Sequence, residues 1–279
     1  MKLIRYIIFC LLIIAFFILP AFSQKKVNAK ALIDHLYTLK GQLPINDMII
    51  VLDSYEANDS GSFDLASKEK VFYKVPCKLK SDIMVTDEKD PLNGKLITII
   101  RNGSQSLMYI SMGEMPIKSI PDPPTPSMII PFNLQKYQES LNYQYVYLGS
   151  ETIDGKKLEL VSIINPNKKD PENITKVWID HQKWIPVRVE KKFLKMSNAK
   201  PLTILTRWVY SEPKKLKDGR YIPHVINVWN DYSDGNGMIL TKKIIYTQLS
   251  VNSGLDDSLF EPLKVIAPDK AVNPNIPAR

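Results

Sequence analysis

The side chains able to do acid–base, nucleophilic or metal chemistry are few in this chain and stand far apart. Its three histidines, His35, His181 and His224, have no cysteine or carboxylate around them at metal-ligand spacing. Hydrolysis by a metal or an activated nucleophile needs such groups to converge, and the spacing brings none together. His181 falls in a turn and reads as solvated, whereas His224 alternates with apolar neighbours and reads as a wall residue. There is no Gly-x-Ser-x-Gly elbow, His-Glu-x-x-His helix, phosphate-binding loop or Gly-x-Gly-x-x-Gly turn. Asp87-Glu-Lys-Asp90 and Asp256-Asp257 have the composition of charged turns rather than acid pairs. Cys77, in Phe72-Tyr-Lys-Val-Pro-Cys77, reads as an inert buried thiol. The sequence predicts no enzyme, no metal and no cofactor.

What the chain offers instead is apolar and aromatic surface at strand spacing. In 201–210 one parity carries Leu202, Ile204, Trp208 and Tyr210, while the other carries Leu205 and Val209. In 221–232 Val225 and Trp229 oppose Ile226, Val228 and Tyr232. Side chains alternate across a strand, so two apolar parities mean that something covers each face. The residues expected to line an apolar cavity, or the core beneath it, are Trp178, Val187, Val189, Ile204, Trp208, Val225 and Trp229. Arg188 and Glu190 share one parity and point the same way. They are the polar candidates for a cavity mouth, with a cross-strand charge ladder as the other reading.

The elements that must position these groups are mostly strands. One helix opens the chain after the leader, with Asn28 as N-cap and Ala31, Leu32, Leu36 and Leu39 at helical spacing. Gly41 stands at its C′ position, with Pro44 beyond. Strand signals follow at 48–52, 69–79, 95–100 and 106–110, the last two joined through Asn102-Gly103. The Pro-rich stretch 120–126 reads as an extended loop or lid boundary, and 132–140 as a short helix. From residue 143 onward, Asp154-Gly155, Asp180–Lys183, Asp218-Gly219 and Asp234-Gly235 punctuate an up-and-down meander. The expected fold is mainly β: a long antiparallel meander with an N-terminal helix, its twisted sheet curling either into a closed barrel or into an open half-barrel.

The chain begins with Lys2 and Arg5, an apolar run from Tyr6 to Leu19, and Ala21 and Ser23 before Gln24. That is the pattern of a cleavable export signal, the rival reading being an uncleaved anchor. The domains expected are a leader at 1–23, one β-rich domain at 24–262 and a Pro-rich tail at 263–279. Cys10 lies inside the leader, so no intramolecular disulfide is possible after processing. The formal charge of +8 falls by two when Lys2 and Arg5 leave. The remaining surplus is spread along the chain, which suits anionic lipid headgroups better than nucleic acid.

Several pieces, in order, resemble the family of periplasmic lipoprotein carriers and outer-membrane lipoprotein-sorting proteins, the LolA-like family. They begin with Pro91-Leu-Asn-Gly94 and Leu107-Met-Tyr109, and continue through Tyr137-Gln-Glu-Ser-Leu141 and Leu148-Gly149 to Asp154-Gly155-Lys156. Next come Trp178-Ile-Asp180 and Pro186-Val-Arg188-Val-Glu190, then Gly219-Arg-Tyr-Ile-Pro223 and Asp257-Ser-Leu-Phe260. Ile110-Ser111 stands where the family often has a proline, and Lys195-Met-Ser-Asn198 replaces its usual Asp-x-x-Gly turn. The resemblance implies an unclosed β-barrel, an incomplete helical lid and a cavity for lipoprotein acyl chains or lipids. It further implies transfer proteins in the inner and outer membranes as partners, no nucleic acid and a monomeric, periplasmic protein. A lipid- or lipoprotein-sensing module of envelope-stress signalling is the second reading; the chain's end in a Pro-rich tail soon after Phe260 weighs against it.

Overall fold

The structure is a computed structural model that describes residues 27–36, 45–75, 78–102, 105–110, 117–118, 143–166, 174–197, 200–232 and 235–263. Its elements are α1 (Ala29–Asp34), β1 (Asp47–Ala57), β2 (Phe63–Lys74), β3 (Lys78–Val85), β4 (Leu96–Asn102), β5 (Gln105–Ile110) and β6 (Ile117–Lys118). They continue with β7 (Gln144–Ile153), β8 (Lys156–Ile164), β9 (Ile174–Asp180), β10 (Ile185–Ser197), β11 (Lys200–Lys215), β12 (Tyr221–Asp231), β13 (Ile239–Val251) and a 3-10 turn, Asp257–Phe260.

All thirteen strands form one sheet, in the order β6-β5-β4-β3-β2-β1-β13-β12-β11-β10-β9-β8-β7. Two meanders, β1–β6 and β7–β13, each made of neighbouring strands, meet at a single seam. There β1 runs antiparallel to β13, from Met48 opposite Val251 to Glu56 opposite Lys242. The outermost strands, β6 and β7, are consecutive in the chain and do not pair, so the sheet stays open. A twisted sheet this wide curls rather than lying flat.

Cross-strand partners share a face, and the registers divide the sheet cleanly. Met48, Ile50 and Leu52 of β1 stand with Val71, Tyr246, Ile244, Ile226, Trp208, Val189, Val177 and Val161. One connected hydrophobic cluster follows this inner face from β2 to β8, and Ala29, Ile33 and Leu36 of α1 join it. The helix packs on β7 and β8. Asn28 caps it, its side chain accepting from the Ala31 amide at 3.1 Å.

The outer face is covered locally, by the chain that follows β13. Asp47, 4% exposed, accepts from the amides of Ser253 at 2.6 Å, Gly254 at 2.9 Å and Leu255 at 3.3 Å. That grip turns the chain back over β3 and β4, where Phe260 is fully buried. Asp257 pairs with Lys74 at 2.7 Å and Lys78 at 3.0 Å. The Leu263 amide donates to Tyr109 Oη at 3.1 Å. Burial of one such phenylalanine is worth about 1.5–3 kcal/mol.

The mainly β, unclosed architecture matches the sequence expectation, with local differences. The single strand expected over 69–79 is two, β2 and β3, with Lys74 directly opposite Lys78. Strand β1 extends to Ala57, past the expected Leu52, and β6 was not anticipated. The leader, Leu39, Gly41 and Pro44, Cys77, the turn residues Gly103 and Asp234, the Pro-rich stretch 120–126, the helix expected at 132–140 and the tail beyond Leu263 lie outside the described residues.

Candidate functional site

The inner face presents a nearly unbroken apolar wall. Val161, Val177, Val189, Trp208 and Val228 line up as successive cross-strand partners from β8 to β12, each buried. Ile204 joins this face opposite Phe193, whose ring meets that of Trp208 edge-on with centroids 6.1 Å apart. Val187 is half-buried at the register shift between Pro186 and Arg188, where strand alternation breaks and assigns it to neither face. Three of the seven apolar candidates, Val189, Ile204 and Trp208, therefore stand together on the inner face, with Val187 at the bulge beside them.

The other three lie on the outer face. Trp178 is opposite Arg188, whose guanidinium sits 5.3 Å from the indole centroid. The Trp178 Nε1–H donates to Glu151 Oε2 at 2.6 Å. Val225 stands opposite Ser211 and Ile245 and is buried. Trp229 is opposite Arg207 and half-buried. Arg188 and Glu190 share that outer face. Glu190 accepts from Arg207 Nε at 2.6 Å, forming a cross-strand ion pair. A partly exposed pair of this kind contributes about 0–1 kcal/mol.

A band of polar groups interrupts the inner wall. Glu69 stands opposite Leu52, which is itself opposite Tyr246. Ser81 Oγ donates to Glu69 Oε1. Burial holds the Glu69 carboxyl above its ordinary value, outweighing the Ser81 bond and the nearby Lys242 charge. Burial likewise pushes the Tyr210 and Tyr246 phenols up. His224, its ring 6.4 Å from that of Tyr246, is held below its ordinary value by burial. Its Nδ1 lies 3.0 Å from the Ile222 carbonyl oxygen. Ser54 Oγ and Trp208 Nε1 are buried on this face with no hydrogen-bond partner among the described residues. Such an orphaned group costs about 1–3 kcal/mol.

At one end of the inner face lies a cavity of about 510 Å³ lined by Leu216, Lys217, Asp218, Arg220, Leu249, Ser250, Val251 and Asn252. Leu249 and Val251 are inner-face residues, opposite Ile50 and Met48. The turn at Lys217-Asp218-Gly219 builds the other wall. Gly219 takes a positive φ of 90° and its amide donates to the Leu216 carbonyl at 2.9 Å. Asp218 accepts from Arg220 Nε at 2.7 Å. Burial works against its carboxylate, but the Arg220 hydrogen bonds and charge outweigh it and hold Asp218 below its ordinary value. The volume is that of a small-molecule site, and its rim is cationic and apolar together.

Sequence reasoning missed Glu69, Ser54 and Arg220. Glu69 lies in Lys68-Glu-Lys70, which looks like a solvated charge run. Its signal was the alternation with Val71 and Tyr73, which puts it on the apolar side of β2. Among the described residues, no three His, Cys, Asp or Glu side chains group to hold a metal ion.

The sequence matches no protein-family model and no curated protein. Solved structures share the fold. A LolA superfamily protein from Nitrosomonas europaea superposes with a TM-score of 0.57 at 14% identity, covering 85% of this chain and 98% of its own. A domain described as an outer membrane lipoprotein-sorting protein, from Vibrio parahaemolyticus, gives 0.53 at 16% identity, covering 77% and 89%. A DUF1329 family protein from Desulfovibrio piger gives 0.54 at 15% identity, covering 84% and 97%. This chain has the LolA-like fold: an antiparallel sheet left open, with its core on one face.

Proposed function

We propose that this protein is a periplasmic carrier that shields the acyl chains of lipoproteins or lipids on its inner face and delivers them towards the outer membrane. The observation that carries the reading is the connected apolar cluster along the inner face of an unclosed sheet, with a cavity of about 510 Å³ at its end. Each acyl methylene removed from water contributes about 0.8 kcal/mol, so a long, continuous wall suits such cargo better than a shallow groove. The fold shared with a lipoprotein-sorting domain and the leader-like N-terminus support the same assignment. The work is binding and release, with no bond made or broken. Proteins of the inner and outer membranes supply its direction.

Native mass spectrometry of the protein isolated from the periplasm, followed by lipid extraction, tests this. Acyl lipid or lipoprotein is expected to co-purify. Leu249→Asp, which puts a charge on the cavity wall, is expected to release it while the circular dichroism spectrum is kept. Protein that carries no lipid and refuses added palmitoyl lipid sinks the carrier. A lipid-dependent complex with an envelope-stress partner, without transfer between vesicles, makes the protein a sensor instead.

A further inference from the structure

The inner wall is mostly apolar, yet it encloses an indole N–H that nothing among the described residues accepts. Trp208 is 1% exposed, and its Nε1 makes no hydrogen bond. Its cross-strand partners are Val189 and Val228, and its ring meets Phe193. None of the three has a side-chain acceptor. Ser54 Oγ, 2% exposed, is orphaned on the same face.

An indole N–H is a donor only, so what completes it must be an acceptor. The apolar neighbours on both sides disfavour a charged acceptor, because a buried charge needs a counter-charge. Lys242, in the same cross-strand row, is engaged with Glu56 at 3.4 Å. A neutral acceptor attached to a hydrocarbon chain meets both demands: its carbonyl takes the N–H and its methylenes take the wall.

We infer that Trp208 forms a polar subsite within the acyl-binding face, its Nε1–H donating to the carbonyl oxygen of an acyl ester or amide. The inference rests on the carrier reading and names the chemical group that reading leaves open. It makes the inner face selective: hydrocarbon of any kind is admitted, and acyl linkages are preferred over ether-linked or free alkyl chains.

Two probes that differ by one carbonyl separate the possibilities, 1-monopalmitoyl glycerol and its ether analogue 1-O-hexadecyl glycerol. Their affinities for the mature protein and for Trp208→Phe are compared by displacement of a fluorescent lipid. The phenylalanine keeps an aromatic ring and removes the donor. The wild-type protein is expected to prefer the ester about five- to tenfold, the ratio that one net hydrogen bond yields. Trp208→Phe should erase that preference by weakening the ester alone. Equal binding of both probes by wild type, or a preference that survives in Trp208→Phe, overturns the subsite and leaves the carrier standing. Refusal of both probes removes the carrier, and this inference with it.

Should Trp208→Phe fail to fold, the wild-type indole proton decides. It is assigned in a ¹H–¹⁵N spectrum by elimination with Trp178→Phe, Trp184→Phe and Trp229→Phe. A downfield shift on adding the ester but not the ether supports the bond, and an unmoved resonance overturns it.

Discussion

Trp178 and Trp208 sit on opposite faces of the same sheet and show what each face is built to do. On the outer face every polar atom of Trp178 is used: its N–H is bonded to Glu151 at 2.6 Å and the Arg188 guanidinium stacks 5.3 Å from its ring centroid. On the inner face Trp208 is more deeply buried and its N–H is left open. The outer face is finished by the protein's own chain, through Asp47, Asp257 and Phe260. The inner face is closed mainly with hydrocarbon, and the Trp208 indole N–H and the Ser54 hydroxyl have no partner among the described residues. Polar groups are matched on the outer face at Trp178, whereas the Trp208 indole on the inner face is not matched among the described residues.

The largest test of this contrast is Phe260→Ala. If the strap after β13 seals the outer face, its loss costs about 3–5 kcal/mol in urea unfolding; a cost under about 1 kcal/mol would mean the outer face needs no cover. Asp47→Ala comes next, at about 2–3 kcal/mol, since three amides lose their acceptor together. It should also raise protease sensitivity of the segment after Val251.

The two indoles give the sharpest comparison. Trp178→Phe breaks a satisfied bond and strands Glu151, and is expected to cost about 1–2 kcal/mol. Trp208→Phe removes an orphan and should be within about 0.5 kcal/mol of neutral. Equal costs would erase the distinction between the faces.

Smallest is the pH effect of Glu69. Its folded carboxyl titrates above the ordinary 4.5, so the native state holds a proton that the unfolded chain has released. Stability is therefore lost as pH rises from about 4.5 through the folded value, and Glu69→Gln should flatten that slope in urea midpoints. His224 acts with the opposite sign. Its folded value lies below 6.5, so stability falls as pH drops from 6.5 through the folded value, and His224→Gln removes that contribution.

The second meander was legible because its turn chemistry is written locally. Asp154-Gly155 and Asp218-Gly219 mark reversals that the structure places where expected, with both glycines at positive φ. The β2–β3 reversal was obscured because Val75-Pro-Cys77 is flanked by strand-like sequence on both sides. Faces were harder still. In β11 and β12 both parities are apolar, so composition cannot separate Trp208 from Val225 and Trp229. Register does, through Trp208 opposite Val228 and Val225 opposite Ile245. The seam is invisible locally, since strands β1 and β13 carry no mark of each other.

That seam also sets an order of assembly. Each meander is made of neighbours in sequence and can form as its hairpins close, within microseconds per hairpin. The β1–β13 pairing cannot: the hydrogen bond from the Asn46 amide to Asn252 Oδ1 joins residues 206 positions apart. A chain made from its N-terminus presents β1 as a bare edge until nearly all of it is available. Bare edges recruit foreign strands. The interval before β13 arrives is thus the protein's moment of greatest exposure to aggregation, and the rate of that one docking step governs its yield.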